Sequence, residues 1–170
     1  VFIIPGTIKD NIVLDRPVPR DDLDRIIRLS QLSAVIDKLP EGSETKIGEG
    51  GMDLSAGQKQ LLAFARVLAR NPKILVLDEA TANVDTETEY QIQNALANLM
   101  RDRTTIVIAQ RLSTIKNADE IVVLDNGRIV ERGRHAELLA RGGIYASIYD
   151  LQLRHQEDEV PPPASGGGSS

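Results

Sequence analysis

Two stretches of this chain carry the residue types best suited to chemistry: Leu54-Ser55-Ala56-Gly57-Gln58-Lys59-Gln60, and the apolar run Ile74-Leu75-Val76-Leu77 that ends in Asp78-Glu79. Ser55 with Gln58 three residues later forms an S-x-x-Q capping box just ahead of a helical pattern. Gly57 leaves the backbone there uncrowded. A helix opening at this point aims unpaired N–H groups and its positive dipole end at one spot, which suits phosphate oxygens. On Ser-x-Gly-Gln alone, an ordinary capped helix without a ligand is the simpler reading. Asp78 and Glu79 follow four apolar residues, so they emerge at the carboxyl edge of a strand, where open α/β sheets bind ligands. Two adjacent acids can divide the work there. Asp78 would hold Mg²⁺ through water, and Glu79 would polarise the water that attacks a γ-phosphate. Solvated charges at a strand end are the plain alternative. No G-x-x-x-x-G-K-[ST] phosphate loop occurs between Val1 and Ser170. The two stretches together read as part of an ATP-driven machine.

Three further residues belong to the same discussion. Gln110 ends the strand that starts at Thr104 and should reach the sheet edge of Asp78 and Glu79, provided the two strands are parallel neighbours. Its amide can donate to a phosphate oxygen but cannot titrate. Asp85, behind Thr81-Ala82-Asn83-Val84, is the N-cap of the next helix or the residue just before it, and capping alone would explain it. His135, in Gly133-Arg134-His135-Ala136-Glu137, reads as a surface residue at a helix start, and no His-rich metal spacing exists.

The elements that position these residues follow from periodicity. Leu61, Phe64, Ala65 and Leu68 recur at helical spacing over Gln58 to Arg70, and Asn71-Pro72 supplies the stop. Ile74 to Leu77 is apolar on both faces, as in a parallel strand covered by helices on both sides. Thr86 to Met100 is a second helix with its stripe at Ile92, Ala95, Leu96 and Leu99, and Thr86 and Glu89 are spaced as a capping box. Thr104 to Ile108 is the next strand. Ile121 to Leu124 turns through Asp125-Asn126-Gly127 into Arg128-Ile129-Val130, and Asn-Gly favours a type I′ hairpin. Helices are expected over His135 to Ala140 and Tyr145 to Leu153. Upstream, Val1 to Ile4 reads as a strand end or apolar docking segment. A helical region from Asp21 runs to about Lys38, and Pro40 to Gly51 has loop composition.

Bulk composition bounds the answer. The 170 residues suffice for one main core, and 41% hydrophobic with 26% charged residues fits a soluble fold. A formal charge of −5 gives no global basic field, so nucleic acid is not an expected partner. The chain has no cysteine, which excludes disulfides and thiolate metal sites. Its apolar runs are far shorter than the roughly 18 to 20 residues needed to span a bilayer.

Taken in order, Leu54 to Gln60, Ile74 to Glu79, Ala82 to Asp85 and Ala109-Gln110-Arg111-Leu112-Ser113-Thr114 resemble the signature loop, Walker B, D-loop and switch loop of ATP-binding cassette (ABC) ATPases. Gly6-Thr7-Ile8-x-x-Asn11-Ile12, Gly127-Arg128-Ile129-Val130-Glu131-x-Gly133 and the final Gly-x-Tyr segment look like the exporter branch. Thr45-Lys46-Ile47-Gly48-Glu49 resembles the loop that touches transmembrane coupling helices in exporters. The resemblance extends over about Val1 to Leu153.

It implies an α/β fold: part of a RecA-like P-loop NTPase core, a parallel sheet flanked by helices, plus an α-helical subdomain. The expected division is a helical subdomain over 1–70, the C-terminal half of the core over 71–153, and a tail or linker over 154–170. The cofactors implied are ATP and Mg²⁺. Leu54, Ser55, Ala56, Gly57 and Gln58 would serve ATP held by a second nucleotide-binding domain in a head-to-tail dimer. Asp78 and Glu79 would serve the subunit's own ATP beside a phosphate loop expected upstream, with Gln110 as a further catalytic residue and Asp85 in the D-loop. ATP would clamp the dimer, hydrolysis would release it, and a transmembrane domain expected before Val1 would alternate its access. The expected place is therefore the cytoplasmic face of a membrane, and the isolated chain is expected to be inactive. Ala56 replaces the usual first glycine of the signature pair. Gln110 stands where the family normally has histidine, implying an engineered substitution or a degenerate site of the kind found in heterodimeric exporters. The rivals are a cassette ATPase of DNA repair or chromosome organisation, and a non-catalytic fragment that docks on a partner and supplies only the signature loop.

Overall fold

The computed structural model describes residues 1–78, 85–109 and 112–158; the side chains of 112, 113 and 152–158 are outside the description. The chain forms two compact units, Val1–Ile108 and Ala109–Ser170.

In the first unit a short strand β1 (Gly6–Thr7) leads directly into helix α1 (Ile8–Val13). Thr7 and Asp10 form a reciprocal capping box, with Thr7 N–H donating to Asp10 Oδ2 at 2.9 Å and Asp10 N–H to Thr7 Oγ1 at 3.0 Å. These bonds hold the Asp10 carboxyl below its ordinary range, the Thr7 backbone bond being the largest cause. Helix α2 (Arg20–Leu29) and the single turn α3 (Ser33–Ile36) occupy the region expected as one helix to Lys38. The break falls at Gln31, whose φ of 61° is left-handed, and Ser30 Oγ donates back to Ile27 O.

The stretch Pro40 to Gly51 holds more than a loop. A 3₁₀ turn at Gly42–Glu44 precedes strand β2 (Lys46–Ile47), which pairs antiparallel with β1. Gly51 is obligatory for close approach, because a Cβ there would lie 2.6 Å from Lys46 O.

Helix α4 (Ala56–Arg70) ends at Asn71 in the left-handed conformation and hands over to strand β3 (Ile74–Asp78). Helix α5 (Thr86–Met100) then carries the chain to strand β4 (Thr104–Ile108), parallel to β3 in the register Ile74↔Thr104 to Asp78↔Ile108. Arg103 fastens the junction, donating to Pro72 O, Leu99 O and Asn71 Oδ1. The core is aliphatic and runs from α1 through α2 and α4 to α5, with Ile8, Ile12, Leu61, Leu62 and Leu99 almost wholly shielded.

Strand β3 departs from expectation on one face. Leu75 is buried, but Ile74 and Val76 are 66% and 65% exposed, and Ile106 and Ile108 of β4 are 57% and 59% exposed. The helices cover one side of this two-stranded sheet, so the prediction of cover on both faces does not hold among the described residues.

The second unit comprises α6 (Leu112–Lys116), the hairpin β5 (Ile121–Asp125) and β6 (Arg128–Gly133), α7 (His135–Arg141) and α8 (Ile144–Asp158). Asn126 and Gly127 both have positive φ, 46° and 74°, as a type I′ turn requires. A small core of Val123, Leu138 and Tyr145 joins the hairpin to α7 and α8. Glu131 reaches from β6 to cap α8, its carboxylate accepting from Ile144 N–H at 2.7 Å and Tyr145 N–H at 2.9 Å. Helix α8 continues to Asp158, through residues expected as the start of a tail; 159–170 lie outside the described residues.

Candidate functional site

Ser55 sits in extended backbone at the head of α4. Its Oγ accepts from Gln58 N–H at 3.2 Å, while Gln58 Oε1 accepts from Ser55 N–H at 3.0 Å. The capping box read from Ser55 and Gln58 is therefore formed, and the helix opens at Ala56, two residues before the apolar periodicity becomes visible. Leu54 is buried and anchors the loop in the core, whereas Ser55 and Ala56 are exposed and Gly57 is packed against the fold. The cap uses Gln58 N–H, which leaves the first-turn donors of Ala56 and Gly57 without an intrahelical acceptor. The Ser55 cap also uses only an acceptor position, so its O–H proton is available to donate outward. This donor set, at the positive end of a 15-residue helix, fits a phosphate group.

The carboxylate side is positioned by the parallel pair. Asp78 is the last residue of β3 and is exposed, and the register places it beside Ile108 at the carboxyl edge of both strands. The condition set for Gln110, that β3 and β4 be parallel neighbours, is met. Glu79 and Gln110 themselves lie outside the described residues, as do Ala82 to Val84 of the D-loop. An exposed carboxylate free to accept water-bridged bonds fits the hard, oxygen-ligated Mg²⁺ ion.

Asp85 is the N-cap of α5: its Oδ1 accepts from Thr88 N–H at 2.9 Å. The bond to the Thr88 backbone is the main reason its carboxyl stays below the ordinary range. The cap expected from Thr86 is thus taken by Asp85, and Thr86 becomes the first helical residue. His135 also differs from expectation. It does open α7, yet it is half-buried, with Nδ1 2.7 Å from Tyr145 Oη and its ring 5.1 Å from that of Tyr149. Burial next to Tyr149 pushes the Tyr145 phenol up.

Sequence reasoning quoted Asn11 only within a family-like motif and missed Arg66 and the bond between the two. Asn11 is completely shielded, and Arg66 of α4 bonds to it across the core. The available signal was a polar residue set in the stripe of Ile8 and Ile12, behind the T-x-x-D cap of Thr7 and Asp10. Among the described residues, no group of His, Cys, Asp or Glu is placed to hold a metal by itself, and no helix is long and apolar enough to cross a membrane.

Comparison with known proteins bears on this geometry. The ABC transporter family model matches residues 4–82. The ATP-dependent lipid A-core flippase of Nitrosococcus oceani is 47% identical over 170 residues, covering 99% of this chain and 28% of the flippase. The uncharacterized ABC transporter ATP-binding protein YknV of Bacillus subtilis is 50% identical over 154 residues, covering 89% of this chain and 25% of that protein. The chain thus spans about a quarter of the length of these relatives. A solved structure of a bacterial Atm1-family ABC exporter with ATP bound superposes with a TM-score of 0.74 at 41% identity, covering 93% of this chain and 27% of the exporter chain.

Proposed function

Because this chain belongs to the ATP-binding domains of exporter-type ABC transporters, we propose that it serves as the signature-bearing part of an exporter's nucleotide-binding domain. In that role it couples ATP binding and hydrolysis at a head-to-tail dimer interface to transport. The observation that supports the reading is the set of first-turn donors at the head of α4, in a chain whose parallel β3–β4 pair also puts Asp78 at the carboxyl edge of the sheet.

In this reading Ser55 O–H and the amides of Ala56 and Gly57 donate to the γ-phosphate of ATP held by a second nucleotide-binding domain. Leu54 and Gln58 keep that loop in shape. Asp78 holds Mg²⁺ through water, and the ion, when bound, neutralises charge on the β- and γ-phosphates. Glu79 takes up the attacking water's proton, and Gln110 donates its amide N–H to a phosphate oxygen without carrying charge. Asp85 caps α5 at the end of the D-loop, next to the partner subunit. Lys46 and Glu49 are exposed on either side of the buried Ile47, a presentation suited to meeting a transmembrane coupling helix. The exporter names of the relatives weigh against the DNA-repair reading.

The test uses the full-length transporter that carries this sequence. Glu79→Gln should reduce Mg-ATPase turnover by about 100-fold or more while ATP still binds. Gln110→His should raise turnover if the glutamine is what slows the site. Turnover that survives Glu79→Gln unchanged would sink the assignment.

A further inference from the structure

The segment before β1 is held in an unusual way. Val1 and Phe2 are 65% and 75% exposed, so apolar burial does little to fix the first two residues. Polar bonds do it instead. The shielded Asn11 amide uses its full capacity: Nδ2 donates to Ile4 O at 2.9 Å and Thr7 O at 3.0 Å, and Oδ1 accepts from Ile4 N–H at 3.0 Å and from Arg66 Nη2 at 2.8 Å. The same guanidinium donates from Nε to Asn11 O at 2.7 Å and from Nη1 to Phe2 O at 2.5 Å. Arg66 therefore joins three parts at once: the entry segment, α1 and α4.

Attachment of α1 to α4 does not depend on this fork. Ile8 and Ile12 pack in the common core, and Arg70, one turn further along α4, pairs with Asp15 at the surface. What Arg66 adds is the direct bond to the entry segment, made from a helix whose first turn carries Ser55 and Gly57. That first turn is about 15 Å from Arg66 along a rigid rod.

Resting on the reading given above, we propose that Arg66 is a positioning residue for the signature loop. Its fork makes the segment Phe2–Ile4 and the first turn of α4 move as one body. A displacement of the chain at its entry is then delivered to Ser55 and Gly57 instead of being absorbed between them. The planar fork is required, since lysine offers no geometry that meets Asn11 O, Asn11 Oδ1 and Phe2 O together.

The chain has no cysteine, so Phe2→Cys with Lys59→Cys gives a unique pair for spin labels. Pulsed electron-spin distance measurement on the 170-residue chain should give one narrow distribution. Arg66→Lys should at least double its width, while Arg70→Lys leaves it unchanged. In the full-length transporter, Arg66→Lys should lower turnover per folded molecule about tenfold with ATP affinity within twofold, the split expected when positioning and not binding is lost. If Arg66→Lys does not fold, Asn11→Ser is read by the same assays with the same expectations. An unchanged width, or a doubled width with unchanged turnover, overturns the proposal. A parent transporter without ATPase activity would count against the proposed function, and the label distances would then decide this inference by themselves.

Discussion

Replacing Glu131 by alanine isolates a single carboxylate that holds two elements together. Glu131 Oε1 and Oε2 accept from the first free amides of α8, Ile144 N–H and Tyr145 N–H, at 2.7 and 2.9 Å. Bonds to a charged group contribute about 1.5 to 3 kcal/mol each when shielded, and an anion at a helix N-terminus adds about 0.3 to 1 kcal/mol. Glu131 is half-exposed, which puts the combined loss near the low end, about 2 kcal/mol. For a unit whose core is Val123, Leu138 and Tyr145, that is a large share of its stability. About 2 kcal/mol corresponds to roughly a 30-fold change in the opening equilibrium. Amide exchange at Ile144 and Tyr145 in the Glu131→Ala variant should accelerate by that factor, and Glu131→Gln, which keeps one acceptor oxygen, should fall between. Gly143 supplies the internal control, since a Cβ at that position would collide with Glu131 Oε1. Gly143→Ala must push the carboxylate off its amides, so its cost should largely vanish once Glu131 is alanine. Acceleration below threefold, or strict additivity of the two substitutions, would refute the reasoning.

Other outcomes follow from the same geometry. Ser55→Ala removes an N-cap and should destabilise α4 by about 1 kcal/mol in urea denaturation, with the Gln58 amide exchanging faster. Leu61→Ala, at a fully shielded core position, should cost about 2 to 5 kcal/mol in the same experiment. Asp85 gives a pH dependence of known sign. Its folded carboxyl titrates below the unfolded value, so its cap is fully effective above about pH 3.9 and is lost as pH falls through the folded value. Thr88 amide exchange, corrected for intrinsic rates, should rise on acidification through that window, and Asp85→Asn should abolish the dependence.

Local signals were read well where one residue decides one conformation. Asn126-Gly127 specified the hairpin because both φ values must be positive, and Ser55 with Gln58 specified the head of α4 because the two side chains satisfy each other's backbone. The parallel pairing of β3 and β4 was legible from apolar runs separated by a helix. Three features were not. At α5, Thr86 and Asp85 both offer a capping oxygen, and periodicity cannot choose between neighbours. The bare face of Ile74, Val76, Ile106 and Ile108 looks in sequence like a doubly covered strand, since an apolar run does not say what lies against it. Arg66 and Asn11 form their contact across the core between residues far apart in the chain, beyond the reach of any window of local pattern. For the candidate site, the loop at Ser55 and the edge at Asp78 were legible from spacing, while the tether behind them was not.

The β3–β4 pair also has a bearing on how the chain reaches its native state. Parallel strands cannot be joined by a tight turn, so Ile74 meets Thr104 across a crossover that contains α5. The docking of α5 on α4 and the pairing of β3 with β4 both join segments of long sequence separation and are therefore slow to close. During that delay the apolar edges of both strands face solvent, and in the native state one apolar face still does. Refolding yield should consequently fall steeply with protein concentration, since the slow intramolecular pairing competes with a second-order encounter between like surfaces.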